Sequence, residues 1–174
     1  MPLPRILGRP SAFAGAVLAL ALSLSSCGFN YATDRIYTPA NGANQRDASV
    51  DVLGAVIVAA QPDSGTFIAT FVNDSSTKPN SVESILGDDA DQGVTSPDFK
   101  TVKLDPNQLV NLATEGGPKV TGTFDIGSYV PMTISFGDGT QVKVNVPVVP
   151  NCEEWAGLDG SGGDCQDVGT PEQE

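Results

Sequence analysis

The 174-residue chain contains no histidine. That removes the commonest general base and the commonest biological metal ligand. It also removes every Ser/His/Asp or Cys/His nucleophilic arrangement. Methionine is almost as scarce, occurring only as Met1 and Met132. Positive charge is scarce too: nine Lys and Arg stand against 21 Asp and Glu, a net charge of −12. Such a surface repels nucleic acid and anionic headgroups, so neither is expected as a partner. No apolar run reaches the roughly 18 residues of a membrane-spanning helix. The longest, Ala12 to Leu24, would span about 20 Å as a helix, against roughly 30 Å for a bilayer core.

What is present is sharpest at the N-terminus. Arg5 and Arg9 form a short basic start, the apolar run follows, and small residues close it. This is the order of an export signal. The stretch Leu24-Ser25-Ser26-Cys27 resembles the lipobox of bacterial lipoproteins, with Cys27 at the lipid-accepting position. The resemblance implies a signal over residues 1–26, a diacylglyceryl group on Cys27 and attachment to the extracytoplasmic face of the cell membrane. An ordinary signal peptide with an incidental cysteine is the alternative. Each buried CH₂ contributes about 0.8 kcal/mol, and one acyl chain holds only marginally. Two chains therefore suffice for a stable anchor. The segment carries two of the nine cations and no acids, leaving seven against 21, a charge of −14 on residues 27–174.

Two cysteines remain, Cys152 and Cys165. An even pair in an exported protein is expected to be a disulfide, two free thiols being the alternative. The bond would contribute about 3 kcal/mol in the chain-entropy model. The spacing fits neither a zinc knuckle nor a CxxC redox pair.

Residues 27–48 are polar and turn-rich and read as a tether, with Tyr31, Ile36 and Tyr37 as candidates to pack on a domain edge. Residues 49–150 read as an all-β domain. Val50 to Ala59 is rich in β-branched residues. Thr66 to Val72 alternates, with Phe67, Ala69 and Phe71 on one face. A turn at Gln61–Gly65 separates them. Short strands follow near Val82–Leu86, Thr101–Leu104 and Gln108–Leu112. The clearest element is a closing hairpin, Val130–Phe136 and Gln141–Val148, turning at Gly137-Asp138-Gly139-Thr140. Met132, Ile134 and Phe136 share its inner face with Val142, Val144, Val146 and Val148. Pro147 places that strand at an edge near its end. The pattern predicts an antiparallel Greek-key sandwich, cupredoxin-like or Ig-like, of about seven to eight strands and without helices. Residues 151–174 read as an acidic, Gly-rich tail, flexible between the cysteines and disordered beyond Val168.

The closing hairpin resembles that of the periplasmic copper-chaperone family. Gly65 to Asn73 is similar to the family's early strand, and Val102-Lys103-Leu104 and Gly116-Gly117 follow in the family's order. With the lipobox and acidic tail, the whole resembles an actinobacterial lipoprotein branch. The resemblance covers residues 50–149 and implies a cupredoxin-like sandwich. It would also imply copper held by a His-x-Met pair before the hairpin. Gly117-Pro118-Lys119-Val120-Thr121-Gly122 stands there instead, with neither residue. Met132 lies on an apolar strand face and reads as core. Copper(I) wants two or more thioether, thiolate or imidazole donors together, so the copper function does not carry over with the fold.

Other chemistry is thinner. Asp88-Asp89-Ala90-Asp91 lacks EF-hand spacing and reads as a solvated acidic loop, as do Asp159 and Asp164 beside their glycines. Gly116-Gly117 lacks phosphate-loop spacing. Asn73-Asp74-Ser75 matches a glycosylation sequon only by chance in a bacterial protein. Nothing pairs two carboxylates for glycosidase-like work. The sequence thus predicts no enzyme, no cofactor and no metal site. It predicts a membrane-anchored β-sandwich that binds an envelope component or protein. A metal-handling chaperone using ligands outside the family pattern is the alternative. The loop end near Lys119 and the Asp88–Asp91 loop are the places to look.

Overall fold

The computed structural model describes residues 42–90 and 92–165. The expected export signal over residues 1–26, Cys27, Tyr31, Ile36, Tyr37, Asp91 and the end of the tail lie outside them. The described residues fall within one unit, Ala40–Glu174.

Among the described residues nine strands form in chain order: β1 (Ala43–Gln45), β2 (Val50–Gln61), β3 (Ser64–Asn73), β4 (Asn80–Gly87), β5 (Val102–Leu104), β6 (Leu109–Asn111), β7 (Lys119–Thr121), β8 (Tyr129–Phe136) and β9 (Gln141–Pro150). A single helical turn, α1 (Leu112–Glu115), follows β6, and a 3₁₀ turn spans Glu153–Trp155. Both depart from the helix-free expectation. Asn111 caps α1 by accepting from the Ala113 N–H at 2.9 Å. A side chain that bonds its own backbone two residues on nucleates such a turn without any helical periodicity.

The strands hydrogen-bond in the order β5-β4-β8-β9-β2-β3-β6, with β1 added to β2 and β7 to β3. The result is a nearly closed barrel-like sandwich. The inner faces predicted for β3 and for the closing hairpin are the inner faces observed. Phe67, Phe71, Met132, Ile134 and Val146 are fully buried in one core. Burying such side chains contributes about 1.5–3 kcal/mol each.

Two expectations are corrected. The sheet is mixed rather than purely antiparallel, because β9 runs parallel to β2 over Ile57–Val148, Val58–Val149 and Ala59–Pro150. Pro147 therefore does not mark a strand that ends at an edge. The Val148 N–H bonds Ser128 and the Asn151 N–H bonds Ala59. By the alternation of a strand, residue 147 directs its nitrogen away from β8, toward the side where β2 arrives. Proline lacks the donor there and limits the parallel ladder to the residues after it.

The second correction concerns segment boundaries. The sequence pattern places a tether up to residue 48, yet Ala43 pairs with Ala55 and Gln45 with Val52. Gly54 makes this possible. Its φ of 60° sits at a register shift in β2, where its N–H is held by Asn44 Oδ1 at 2.9 Å. At the other end, residues 151–165 are anchored on the sheet at a few points, with Asn151 and Asp159 buried. Trp155 and Leu158 cover Val56, Val58 and Ile68 on the outer face of β2 and β3. This explains why Ala55 to Ala60 is an unbroken apolar run: both faces of the strand are covered.

Candidate functional site

Cys152 and Cys165 are joined, with Cα atoms 4.9 Å apart. The bond closes the covering segment, and the side chain of Asn151 folds it. Asn151 Oδ1 accepts from the Gly157 N–H at 2.9 Å, and its amide donates to the Gly163 carbonyl at 3.2 Å. Asp159, expected as a solvated acid, is instead buried to 7 % exposure. It accepts from the Ala60 N–H at 2.8 Å, the Thr66 hydroxyl at 3.1 Å, and the Ser161 N–H and hydroxyl at 2.9 and 2.7 Å. A carboxylate with this many donors is tolerated away from water. Its role is structural.

The remaining sequence candidates separate cleanly. Asp88 is an exposed acid that pairs with Lys143 at 2.7 Å and accepts from the Thr133 hydroxyl at 3.2 Å. The hydrogen bond from Lys143, then that from Thr133, draws its carboxyl below the usual aspartate range. Asn73 is buried, and its amide donates to the carbonyls of Lys78, Leu104 and Asp105 at 2.9–3.1 Å. It closes a loop and is no glycan acceptor.

Copper does not fit the donors present. Met132 is fully buried in the core, and the two described cysteines, Cys152 and Cys165, are consumed by each other. The chain has no histidine. Among the described residues no three His, Cys, Asp or Glu side chains converge.

The stretch Gly116-Gly117-Pro118-Lys119 borders a cavity. Strands β5 and β6 terminate the sheet order and do not pair with each other. They are joined by a tight turn, in which the Gln108 N–H donates to Asp105 and Asn107 adopts φ 57°. The barrel thus has an unclosed seam. A cleft of about 600 Å³ opens there. Its floor is apolar: Phe99, Val102 and Val110 line it and are also packed against the core. Leu112 and Pro118 complete the wall. Its mouth carries Lys100, Lys103 and Lys119, with Asp98 and Glu115 beside them. All three lysines are exposed, and among the described residues none has a carboxylate within ion-pairing distance. Three of the five lysines in a chain of charge −12 therefore meet at one opening.

Local sequence explains the wall. The Phe67 N–H bonds the Pro118 carbonyl at 3.0 Å, pulling the 115–118 turn onto β3. A Cβ at Gly117 would lie 2.0 Å from the Phe67 carbonyl oxygen. Only glycine allows that approach. The Gly-Gly turn, read from sequence as a turn without phosphate-loop spacing, is the close contact that shapes the cleft. Neither β7 nor the lysine cluster is legible in the sequence. Lys100, Lys103 and Lys119 are separated along the chain, and only the topology brings them together.

No protein-family model matches the chain, and no curated protein matches it. Among solved structures the chain is similar to PCuAC domains. One is the copper-bound PCuAC domain from PmoF2, at 18% identity and TM-score 0.48, covering 62% of this chain and 97% of that one. Another is the apo PCuAC domain from PmoF1, also at 18% and 0.48, covering 62% and 98%. The apo PmoF2 PCuAC domain is similar at 14% and 0.49, covering 64% and 97%. A likeness of this degree assigns no ligand to this chain.

Proposed function

We propose that this protein is a lipid-anchored, extracytoplasmic lipoprotein whose non-catalytic β-domain binds an envelope component at the seam between β5 and β6. The observation that carries the reading is the cleft itself. An apolar floor with a few charged groups at its rim is the general form of a binding site. Its basic rim in an otherwise acidic molecule favours an anionic partner. The alternative, a metal-handling chaperone, lacks support from the donor set, since copper(I) needs soft donors in company. Anaerobic copper(I) titration of the oxidised protein is expected to give no stoichiometric binding.

Site-specific photocrosslinking in cells tests the proposal. A crosslinker at Thr101, beside the cleft, is expected to give a discrete adduct that disappears in the Lys100→Glu/Lys103→Glu/Lys119→Glu variant. A crosslinker at exposed Gln141, on the closing hairpin, is the control. Identical adducts from both positions, or none from Thr101, would refute the reading.

A further inference from the structure

Resting on that reading of the cleft, we infer that its occupant is an extended, acidic polypeptide segment that adds to the free edge of β6 and seats an apolar side chain in the seam. Four observations converge on this occupant.

The first is the free edge. The register of β6 on β3 pairs Thr70 with Asn111, Phe71 with Val110 and Val72 with Leu109. The Asn73 N–H donates to the Gln108 carbonyl at 2.9 Å. Alternation along an antiparallel pair then turns the backbone groups of Val110 toward β3 and those of Leu109 away from it. Among the described residues no strand pairs with that outer side. An edge of this kind is a template for strand addition.

The second is that β5, the opposite wall of the seam, is equally unpaired among the described residues on its side away from β4. The seam is therefore bounded by two short sheet edges rather than by loops alone. The third is the floor. Val102 and Val110 come from the two edges and both reach the core. An extended segment points alternate side chains to one face, so one apolar residue can enter while its neighbours stay outside. Leu109, on the outer face and 58% exposed, offers a further apolar contact.

The fourth is charge. Lys100, Lys103 and Lys119 ring the opening against Asp98 and Glu115, a local excess of cations in a chain with 21 acids and nine bases. A basic or neutral strand would meet the same backbone edge without using the rim. An acidic one would be steered to it, and the acidic remainder of the surface would repel it elsewhere.

The test uses the full chain in detergent and a phage-displayed library of random dodecapeptides. The selected peptides are expected to be acidic, with one apolar residue between flanking acids. Their binding is expected to fall at least tenfold in the Lys100→Glu/Lys103→Glu/Lys119→Glu variant and in 0.5 M salt, and to be unchanged in Lys78→Glu. Methylating alternate backbone nitrogens of a selected peptide is expected to abolish binding, because strand addition needs those donors, and amide exchange at Leu109 is expected to slow in the complex. This holds without any variant that endangers the fold.

Selection of peptides with no acidic bias, or N-methylated peptides that bind unimpaired, would overturn the inference. So would concentration-dependent self-association of the chain that the triple variant abolishes, which would assign the seam to a second copy. Free sulfate competing at the same concentration as the peptide's own carboxylates would assign it to small anions. A Thr101 crosslink to a non-peptide component, with no peptide selected, would overturn the strand while leaving the cleft as the binding site.

Discussion

Asp159 receives donors from β2, from β3 and from its own turn, and so fixes the covering segment to the barrel. Replacing it with alanine leaves the Ala60 N–H and the Thr66 hydroxyl without their acceptor. The expected loss is about 3 kcal/mol, read as a lowered thermal midpoint. A midpoint unchanged in Asp159→Ala would show that the hub carries no stability. Asp138, at the closing turn, behaves differently. The hydroxyl of Ser49 at 2.5 Å, then the hydroxyl and N–H of Thr140 at 2.7 and 2.9 Å, hold its carboxyl down to about 2. Because the folded value lies below the unfolded one, its contribution is complete above about pH 4 and is lost as pH falls toward 2. Asp138→Asn should therefore destabilise the protein at pH 7 by about 1 kcal/mol or less, since the turn is exposed, and by nothing near pH 2. Urea midpoints at the two pH values check this. Asp51 carries the opposite sign. Burial and then the nearby Asp74 raise its carboxyl, against Arg46 at 3.2 Å. Its contribution is present at low pH and declines as pH rises through the raised value. None of the three acids stands out in the sequence, where Asp159 looks like any aspartate beside glycines. Its burial depends on Thr66 and Ala60, nearly a hundred positions earlier.

At the scale of elements, the alternating strands were legible and the irregular ones were not. β3, β8 and β9 carry period-two patterns that state their own inner face. β1 and β7 are three residues long, too short to show a period, and form only because β2 and β3 offer them edges. The covering segment had a signal in its target rather than in itself: six consecutive apolar residues, Ala55 to Ala60, leave no face for water. Trp155 packs on that face and is the chain's one tryptophan. Reducing the Cys152–Cys165 bond should shift its emission to the red and cost about 3 kcal/mol, while the far-ultraviolet signal of the sheet persists. An unshifted spectrum would mean that the segment holds its place without the bond. Gly117→Ala should destabilise by about 2 kcal/mol or more, through the clash with the Phe67 carbonyl, and should weaken any ligand of the cleft. The Gly-Gly pair was visible in the sequence as a turn. Its approach to β3 was not, because it depends on which strand lies beneath.

At the scale of the whole molecule, the cleft exists because the sheet almost closes. Its cations are distant in sequence and its floor is shared with the core, so neither composition nor spacing could announce it. The lipobox-like stretch Leu24-Ser25-Ser26-Cys27, on which the proposed anchor rests, is the reverse case, a local pattern that needs no fold to be read. Cys27→Ala is expected to release the protein from membranes into the soluble fraction. Retention on membranes after that substitution would remove the lipid anchor from the account. The parallel contact between β2 and β9 and the cover that follows β9 join early chain to late chain. For a polypeptide that emerges N-terminus first, Val56, Val58 and Ile68 appear long before Trp155 and Leu158. A chain halted near Asn151 has every strand described above and still presents a bare apolar sheet face, so the folding of this domain finishes only when the residues after β9 have followed.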